Sequence, residues 1–259
     1  MLLLTSAAAA ATVVPDAGGR LSSLVVSATE LVVTGGSGDP PTLWGSFPMA
    51  PYAGRVRDGR FSHDDVEHEL PLTLPPHAGH GTVFDTPWTV VDGDRSRVAL
   101  HVELGPQWPL GGYAEQHVVL HDDRLALTLA VVAGDRSMPA ELGWHAWFAT
   151  RGRIELAAEA MYERGDDGLP TGRLVAPPPP PWDDCFVTHR PIRFTVGDVA
   201  VEVRSDADHA VVFDQLDIGT AVEPQSGPPD AFHLAPRVLA PGERLERTMV
   251  IAWSAERGR

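Results

Sequence analysis

The stretch Arg124-Leu125-Ala126-Leu127-Thr128-Leu129 carries a leucine at every second position. Side chains of extended backbone alternate between its two faces, so these leucines share one face; a helix would need apolar residues three and four apart. The segment reads as a strand covering a core, continuing to Ala133. Outward from it, short runs rich in β-branched residues recur: Leu24 to Val26, Leu31 to Val33, Trp88 to Val91, Val98 to Val102 and His117 to Leu120 on one side, and Ile154 to Ala158, Ile192 to Val196, Val199 to Val203, Ala210 to Phe213 and Thr248 to Trp253 on the other. Turn formers such as Asp92-Gly93-Asp94 and His121-Asp122-Asp123 separate them. No segment of helical length keeps a 3.6-residue period, and 24 prolines would interrupt one. The chain therefore reads as all-β, one domain over residues 1–259, a sandwich or barrel of antiparallel strands with an α/β fold as the alternative.

Composition removes several classes of function. All 20 basic residues are arginine, so Schiff-base chemistry, a phosphate-loop lysine and a lysine base have no residue to carry them. A formal charge of -15 without a basic cluster argues against nucleic acid or an anionic membrane as partner and favours a neutral small molecule. Cys185 is the single cysteine, which rules out an intrachain disulfide. The opening Met1 to Ala11 has the apolar look of an export signal but lacks a positive n-region, and reads as an N-terminus that soon becomes a strand. Nothing has the length of a membrane-spanning helix, so a cytoplasmic location is expected, as a monomer with a dimer as the alternative. No glycine-rich dinucleotide fingerprint, phosphate loop or internal repeat is present.

Against that background a few polar residues stand out. Glu223 lies in the proline-pinned run Ala221-Val222-Glu223-Pro224-Gln225, where a carboxylate is either a structural acceptor or a placed base. In Gly143-Trp144-His145-Ala146-Trp147-Phe148, alternation puts His145 and Trp147 on one face and Trp144, Ala146 and Phe148 on the other; a core histidine is the plain alternative. His80 sits between Gly79 and Gly81, and with His77 forms a His-x-x-His pair that lacks an obvious third metal ligand. Arg55 could hold hydroxyls or a carboxylate, although Arg55, Arg57 and Arg60 together also fit a solvated hairpin. Asp183 and Asp184 follow Trp182 and the stiff Pro177 to Pro181 arm, and either can cap a turn. Seven tryptophans, Trp147 and Trp182 among them, suit the apolar face of a sugar ring as well as a sheet core.

Taken in order, these blocks resemble the aldose 1-epimerase family. The likeness runs from an opening strand at Val13 to Leu21 through Gly54-Arg55 with Gly59-Arg60-Phe61, His80-Gly81, Gly143 to Phe148, Trp182 to Phe186, and Glu223-Pro224-Gln225 with Pro229-Asp230-Ala231, to Val250 to Trp253. The resemblance implies a β-supersandwich, stacked antiparallel sheets around an open sugar-binding cleft. It implies Glu223 as general base, His145 as general acid, His80 as a second hydrogen-bonding or proton-donating group, and Arg55 and Asp183, with Asp184 as the adjacent alternative, as substrate-orienting groups. No cofactor and no metal are expected. One departure is Gly54, where relatives often carry asparagine, a residue this chain lacks.

The implied activity is interconversion of α and β anomers of a free aldose such as glucose or galactose, an isomerase reaction. A base at the anomeric hydroxyl and an acid at the ring oxygen are required, expected on opposite sides of the acetal centre, with a protonated imidazole favoured by nearby carboxylates. The rival readings are a hexose-6-phosphate 1-epimerase, for which Arg57 or Arg60 could supply phosphate contacts, a noncatalytic carbohydrate-binding protein, and a glycoside hydrolase pairing Glu223 with Asp183.

Overall fold

The computed structural model describes residues 1–36 and 38–255. Its strands assemble into two large antiparallel sheets. The first has 11 strands, in the spatial order Leu2–Thr5, Ala9–Val14, Arg20–Val26, Ser46–Met49, Gly143–Phe148, Thr220–Gln225, His209–Phe213, Asp183–Val187, Ala160–Arg164 and Pro170–Val175, with Thr29–Glu30 beside Arg20–Val26. The second has seven, in the order Thr89–Gly93, Arg97–Glu103, Tyr113–Leu120, Arg124–Val132, Arg244–Ala255, Val199–Ser205 and Ile192–Val196. The only α-helix among the described residues is the short Ala231–Leu234. The fold is all-β, as expected.

The leucine stretch behaves as its alternation requires. Leu125, Leu127 and Leu129 are buried in the core, while Arg124, Ala126 and Thr128 on the opposite face keep partial exposure. Across the core the first sheet contributes Trp144, Ala146, Phe148, Val212 and Val222, which share one apolar cluster with the leucines. Full burial of each leucine, valine and phenylalanine among them stabilises the fold by about 1.5–3 kcal/mol. One polar bridge crosses this layer: the Trp144 indole donates to Gln116 Oε1 at 3.1 Å, and Gln116 Nε2 donates to the Gly19 carbonyl at 2.7 Å, so neither buried polar group is left unpaired.

Three segments differ from their sequence reading. Val13 to Leu21 is a hairpin connection between two strands, turned by the 3-10 helix Pro15–Ala17, not one strand. Leu31 to Val33 and Ile154 to Ala158 make only isolated bridges, Val32 to Phe148 and Glu155 to Arg193. Leu31, Val32 and Ile154 pack inward without a continuous ladder beside them, so burial and not strand pairing produced the pattern.

Candidate active site

The other face of the first sheet forms the floor of a cleft. Register builds that floor. Ala146 pairs with Val222 and Trp147 with Ala221, which carries His145 opposite Glu223 on neighbouring strands. On the far side of Thr220–Gln225, Glu223 pairs with Val211 and Ala221 with Phe213, and those two pair in turn with Cys185 and Asp183. Directly opposed residues point to the same side of a sheet. His145, Trp147, Glu223, Val211, Phe213, Asp183 and Cys185 therefore share one surface, and all line the cleft. Trp144, Ala146 and Phe148 face the core, so the alternation expected of this strand holds.

Two loops add the walls. A two-residue ladder pairs Arg55 with Gly79 and Val56 with Ala78, placing Arg55 beside His80. His80 adopts a left-handed φ of 62°, its N–H donating to the Gly54 carbonyl at 2.8 Å. Gly81, φ 81°, packs so tightly that a Cβ there would lie 2.0 Å from the Ala50 carbonyl oxygen. Gly54 has the same kind of restriction: at φ 59°, an added Cβ would come within 2.9 Å of Pro229. An asparagine has no room there. Asp230 locks the walls together, its N–H donating to the Arg55 carbonyl at 2.6 Å and its carboxylate accepting the Arg57 N–H at 2.9 Å.

At the floor, His145 Nε2 lies 3.3 Å from Glu223 Oε1, with both side chains buried. His145 stacks on Phe47 at 4.8 Å between centroids and meets His80 edge-on at 4.9 Å; its Nδ1 is buried without a partner. Burial pushes the Glu223 carboxyl well above the usual carboxylate range, reinforced by Asp183 and opposed by Arg55. Burial also pushes the His145 imidazole well below its ordinary value, reinforced by His80 and Arg20. His80 is pushed down to about 3 by burial first and the Arg55 guanidinium second. The expected imidazolium is thus not the form this environment favours: a neutral imidazole beside a protonated carboxyl costs less desolvation than the ion pair.

The residues singled out in the sequence fall into two groups. Glu223, His145, His80, Arg55, Asp183 and Trp147 converge on the cleft, and Asp184 reaches it as well. Strand alternation puts Asp183 on the Phe213 and Glu223 face, whereas Asp184 pairs with core-facing Val212. Trp182 does not line the cleft. Its indole donates to the Pro178 carbonyl at 2.9 Å and packs edge-on against Phe186, anchoring the proline arm. Arg57 and Arg60 do not line it either: Arg57 is paired with Asp230 and Asp167, and Arg60 with Glu67 and Glu69 on an exposed hairpin. His77 accepts the Asp58 N–H at Nδ1 and contacts the Asp167 carbonyl through Nε2, which occupies both ring nitrogens.

Sequence reading missed the wall opposite Arg55. Tyr162, Arg164, Gly168 and Pro170, from the edge hairpin Ala160–Arg164 and Pro170–Val175, line the cleft, with Arg55 Nη1 donating to the Gly168 carbonyl at 3.2 Å. Only the i, i+2 spacing of Tyr162 and Arg164 marked them, and short edge strands carry too few residues for that spacing to stand out. The deep part of this open cleft has a volume of about 180 Å³, space for roughly six waters at about 30 Å³ each. It offers a coupled acid and base at the floor, with guanidinium and carboxylate groups around the walls.

The family model described as Aldose 1-epimerase matches residues 1–252. Among solved structures, a putative aldose 1-epimerase from Escherichia coli K12 superposes with a TM-score of 0.86 at 22% identity, covering 98% of each chain. A galactose mutarotase-like protein from Clostridium acetobutylicum gives 0.86 at 16% identity over 98% of this chain and 94% of its own. Galactose 1-epimerase from Lactobacillus acidophilus NCFM gives 0.83 at 17% identity over 98% and 93%. These likenesses concern the fold. No match was found among curated proteins.

Proposed function

This chain belongs to the aldose 1-epimerase family, and from that premise we propose that it is a mutarotase, interconverting the α and β anomers of a free aldose such as glucose or galactose. The observation that carries this reading is the cross-strand pair of His145 and Glu223, 3.3 Å apart on the floor of an open cleft. The anomeric hydroxyl oxygen and the ring oxygen of a pyranose are bonded to the same carbon. An acid and a base that serve both must therefore be neighbours, as these two are, instead of flanking the sugar ring.

In the proposed reaction the pair begins with one proton, on the imidazole in the reactive tautomer. The Glu223 carboxylate takes the proton from the C1 hydroxyl as His145 Nε2 gives its proton to the ring oxygen. The former O–H electron pair becomes the C1 carbonyl π bond, the C1 to ring-oxygen bond breaks, and its electron pair stays on the ring oxygen, now a hydroxyl. Rotation about C1–C2 turns the other face of the aldehyde toward that hydroxyl, and the reverse transfers close the ring. Buried surroundings favour both transfers: a carboxylate with a raised pKa is a stronger base, and an imidazolium with a lowered pKa is a stronger acid. In this reading His80 and Arg55 on one wall and Asp183 on the other hold the remaining hydroxyls, while Trp147, 1% exposed, backs the imidazole at 5.6 Å between ring centroids.

Polarimetry of freshly dissolved α-glucose and α-galactose, with the uncatalysed rate subtracted, tests the reading. The wild-type protein should accelerate the approach to anomeric equilibrium. Glu223→Gln should still bind sugar while losing about 10²–10⁴-fold in rate, the usual contribution of a placed base. Unaccelerated exchange by the wild type, or full activity in Glu223→Gln, would remove the proposal.

A further inference from the structure

Arg20, at the start of strand Arg20–Val26, is 1% exposed. Its guanidinium donates to four main-chain carbonyls: Nε to Ala17 at 2.8 Å, Nη1 to Pro41 at 2.8 Å and Trp44 at 2.9 Å, and Nη2 to Phe84 at 3.1 Å. Carbonyl dipoles solvate the charge but do not cancel it. Keeping an ion out of water costs several kcal/mol, and for joining four loop segments alone a neutral donor would avoid most of that cost. The position of the charge supplies another reason. Arg20 Cζ lies 4.0 Å from the Trp44 ring centroid and 5.0 Å from that of Phe47, and Phe47 is the ring stacked on His145 at 4.8 Å and 21°. With little water between them, a fixed cation one ring away acts on the imidazole far more strongly than it would at the surface.

We propose that Arg20 is a positioning residue for the proton shared by His145 and Glu223: held by four carbonyls against Phe47, its charge destabilises the imidazolium, making His145 a stronger acid toward the sugar ring oxygen. The other charged or titratable groups around the pair are His80 edge-on to His145, Glu223 across the strand boundary, Arg55 acting on His80 and Glu223, Asp183 acting on Glu223, the buried Cys185 thiol two strands from Glu223 on the same face, and exposed Asp85 acting on Arg20. The His145 imidazole is held well below its ordinary range by burial first, then by His80 and by Arg20, in the direction the geometry requires. A cation nearby favours loss of each proton from the pair, so Arg20 sets both limbs of the pH–rate profile lower than they would otherwise stand.

The catalytic consequence rests on the mutarotase reading, but the electrostatic one does not, and two readouts separate them. Arg20→Gln and Arg20→Lys both lose carbonyl hydrogen bonds, while only the glutamine removes the charge. For kcat/KM of mutarotation, Arg20→Gln should move both limbs to higher pH, by roughly one unit, and Arg20→Lys should leave them in place. In the protein without sugar, the His145 ring titration followed by NMR should show the same split. Equal displacement by both variants, or a lower rate on unmoved limbs, would mean that Arg20 only holds the loops and would overturn the proposal. If the wild type shows no mutarotation, the His145 titration still decides. If Arg20→Gln fails to fold, as judged by circular dichroism, Arg20→Met, which removes the same charge while keeping an apolar stem against Trp44 and Phe47, serves in its place: the His145 titration should again move to higher pH, and an unmoved titration would overturn the proposal.

Discussion

Arg164 Nη1 lies 2.5 Å from Asp183 Oδ2, joining the edge hairpin to the strand that carries the carboxylate and fixing Asp183 at the rim of the cleft. The same guanidinium also donates to the Asp183 carbonyl, so it determines both where the strand ends and where its first side chain points. Both side chains are about one-third exposed or less, 34% and 27%, which weakens the pair through solvent screening without removing it.

Arg164→Gln should therefore act on sugar binding more than on chemistry. Asp183 would lose its fixed orientation, whereas the His145 and Glu223 pair lies strands away and keeps its geometry. KM should rise by about tenfold, corresponding to about 1.4 kcal/mol of lost binding, with kcat changed little. Initial-rate polarimetry over a range of sugar concentrations measures the split. A fall in kcat with KM unchanged would place Arg164 in the chemistry instead.

Leu127→Ala should destabilise the protein by about 2–5 kcal/mol, since it opens a cavity where Leu125, Leu127 and Leu129 meet the first sheet. Its neighbour Thr128, on the outer face, bonds only Thr248 Oγ1 at 3.1 Å, and Thr128→Ala should cost about 1 kcal/mol. Urea denaturation gives both values. The midpoint of Leu127→Ala should fall well below that of Thr128→Ala with the slope unchanged.

That contrast between adjacent residues is also why the fold was legible in the sequence. Alternation in Arg124 to Leu129 and in Gly143 to Phe148 records which face is buried, a property written into each strand separately. His145 and Trp147 could therefore be assigned to one face. Which strands become neighbours is set by the whole topology, and no local pattern revealed that His145 would lie opposite Glu223 or that the Tyr162 and Arg164 hairpin would close the cleft. Those residues of the site that the family blocks carry were found through the resemblance. Trp182 was misplaced because an aromatic beside an aspartate on a stiff arm serves equally well as an anchor, and its indole bond to Pro178 gives it that role. The protonation state of the pair was misjudged for a related reason: net charge of the chain says little about a site whose pKa values are governed first by burial.

Gly54→Ala should lower both stability and activity. The position holds φ 59°, where a Cβ costs about 1–2 kcal/mol, and the added methyl would also press on Pro229 at 2.9 Å. Pro229 and Arg55 both border the cleft, so a shift that relieves the clash displaces a wall of the site. Thermal denaturation should show a lower Tm, and polarimetry a higher KM. Ala53→Gly, one residue earlier in the same loop, adds no atom toward Pro229 and should leave KM near the wild-type value.

Glu141 provides the sharpest pH test of the electrostatics outside the reaction. It is 2% exposed, its Oε2 accepts a long 3.4 Å bond from the Ala53 N–H, and burial holds its carboxyl well above the ordinary range, assisted by Asp230 and opposed by the backbone N–H groups of Ala53 and Gly227. The sign is the reverse of the common carboxylate case. Because the folded pKa is raised, the native state keeps a proton that the unfolded chain releases once the pH passes about 4.3, so this residue's contribution to stability declines as pH rises from there to the folded value. Glu141→Gln removes the titration while keeping the shape. Its stability relative to wild type should therefore increase with pH across that window, by up to about 1.4 kcal/mol per pH unit. Urea midpoints of the two proteins measured from pH 5 to pH 8 make the comparison; a difference that stays constant, or shrinks as pH rises, would show that Glu141 is ionised in the folded protein.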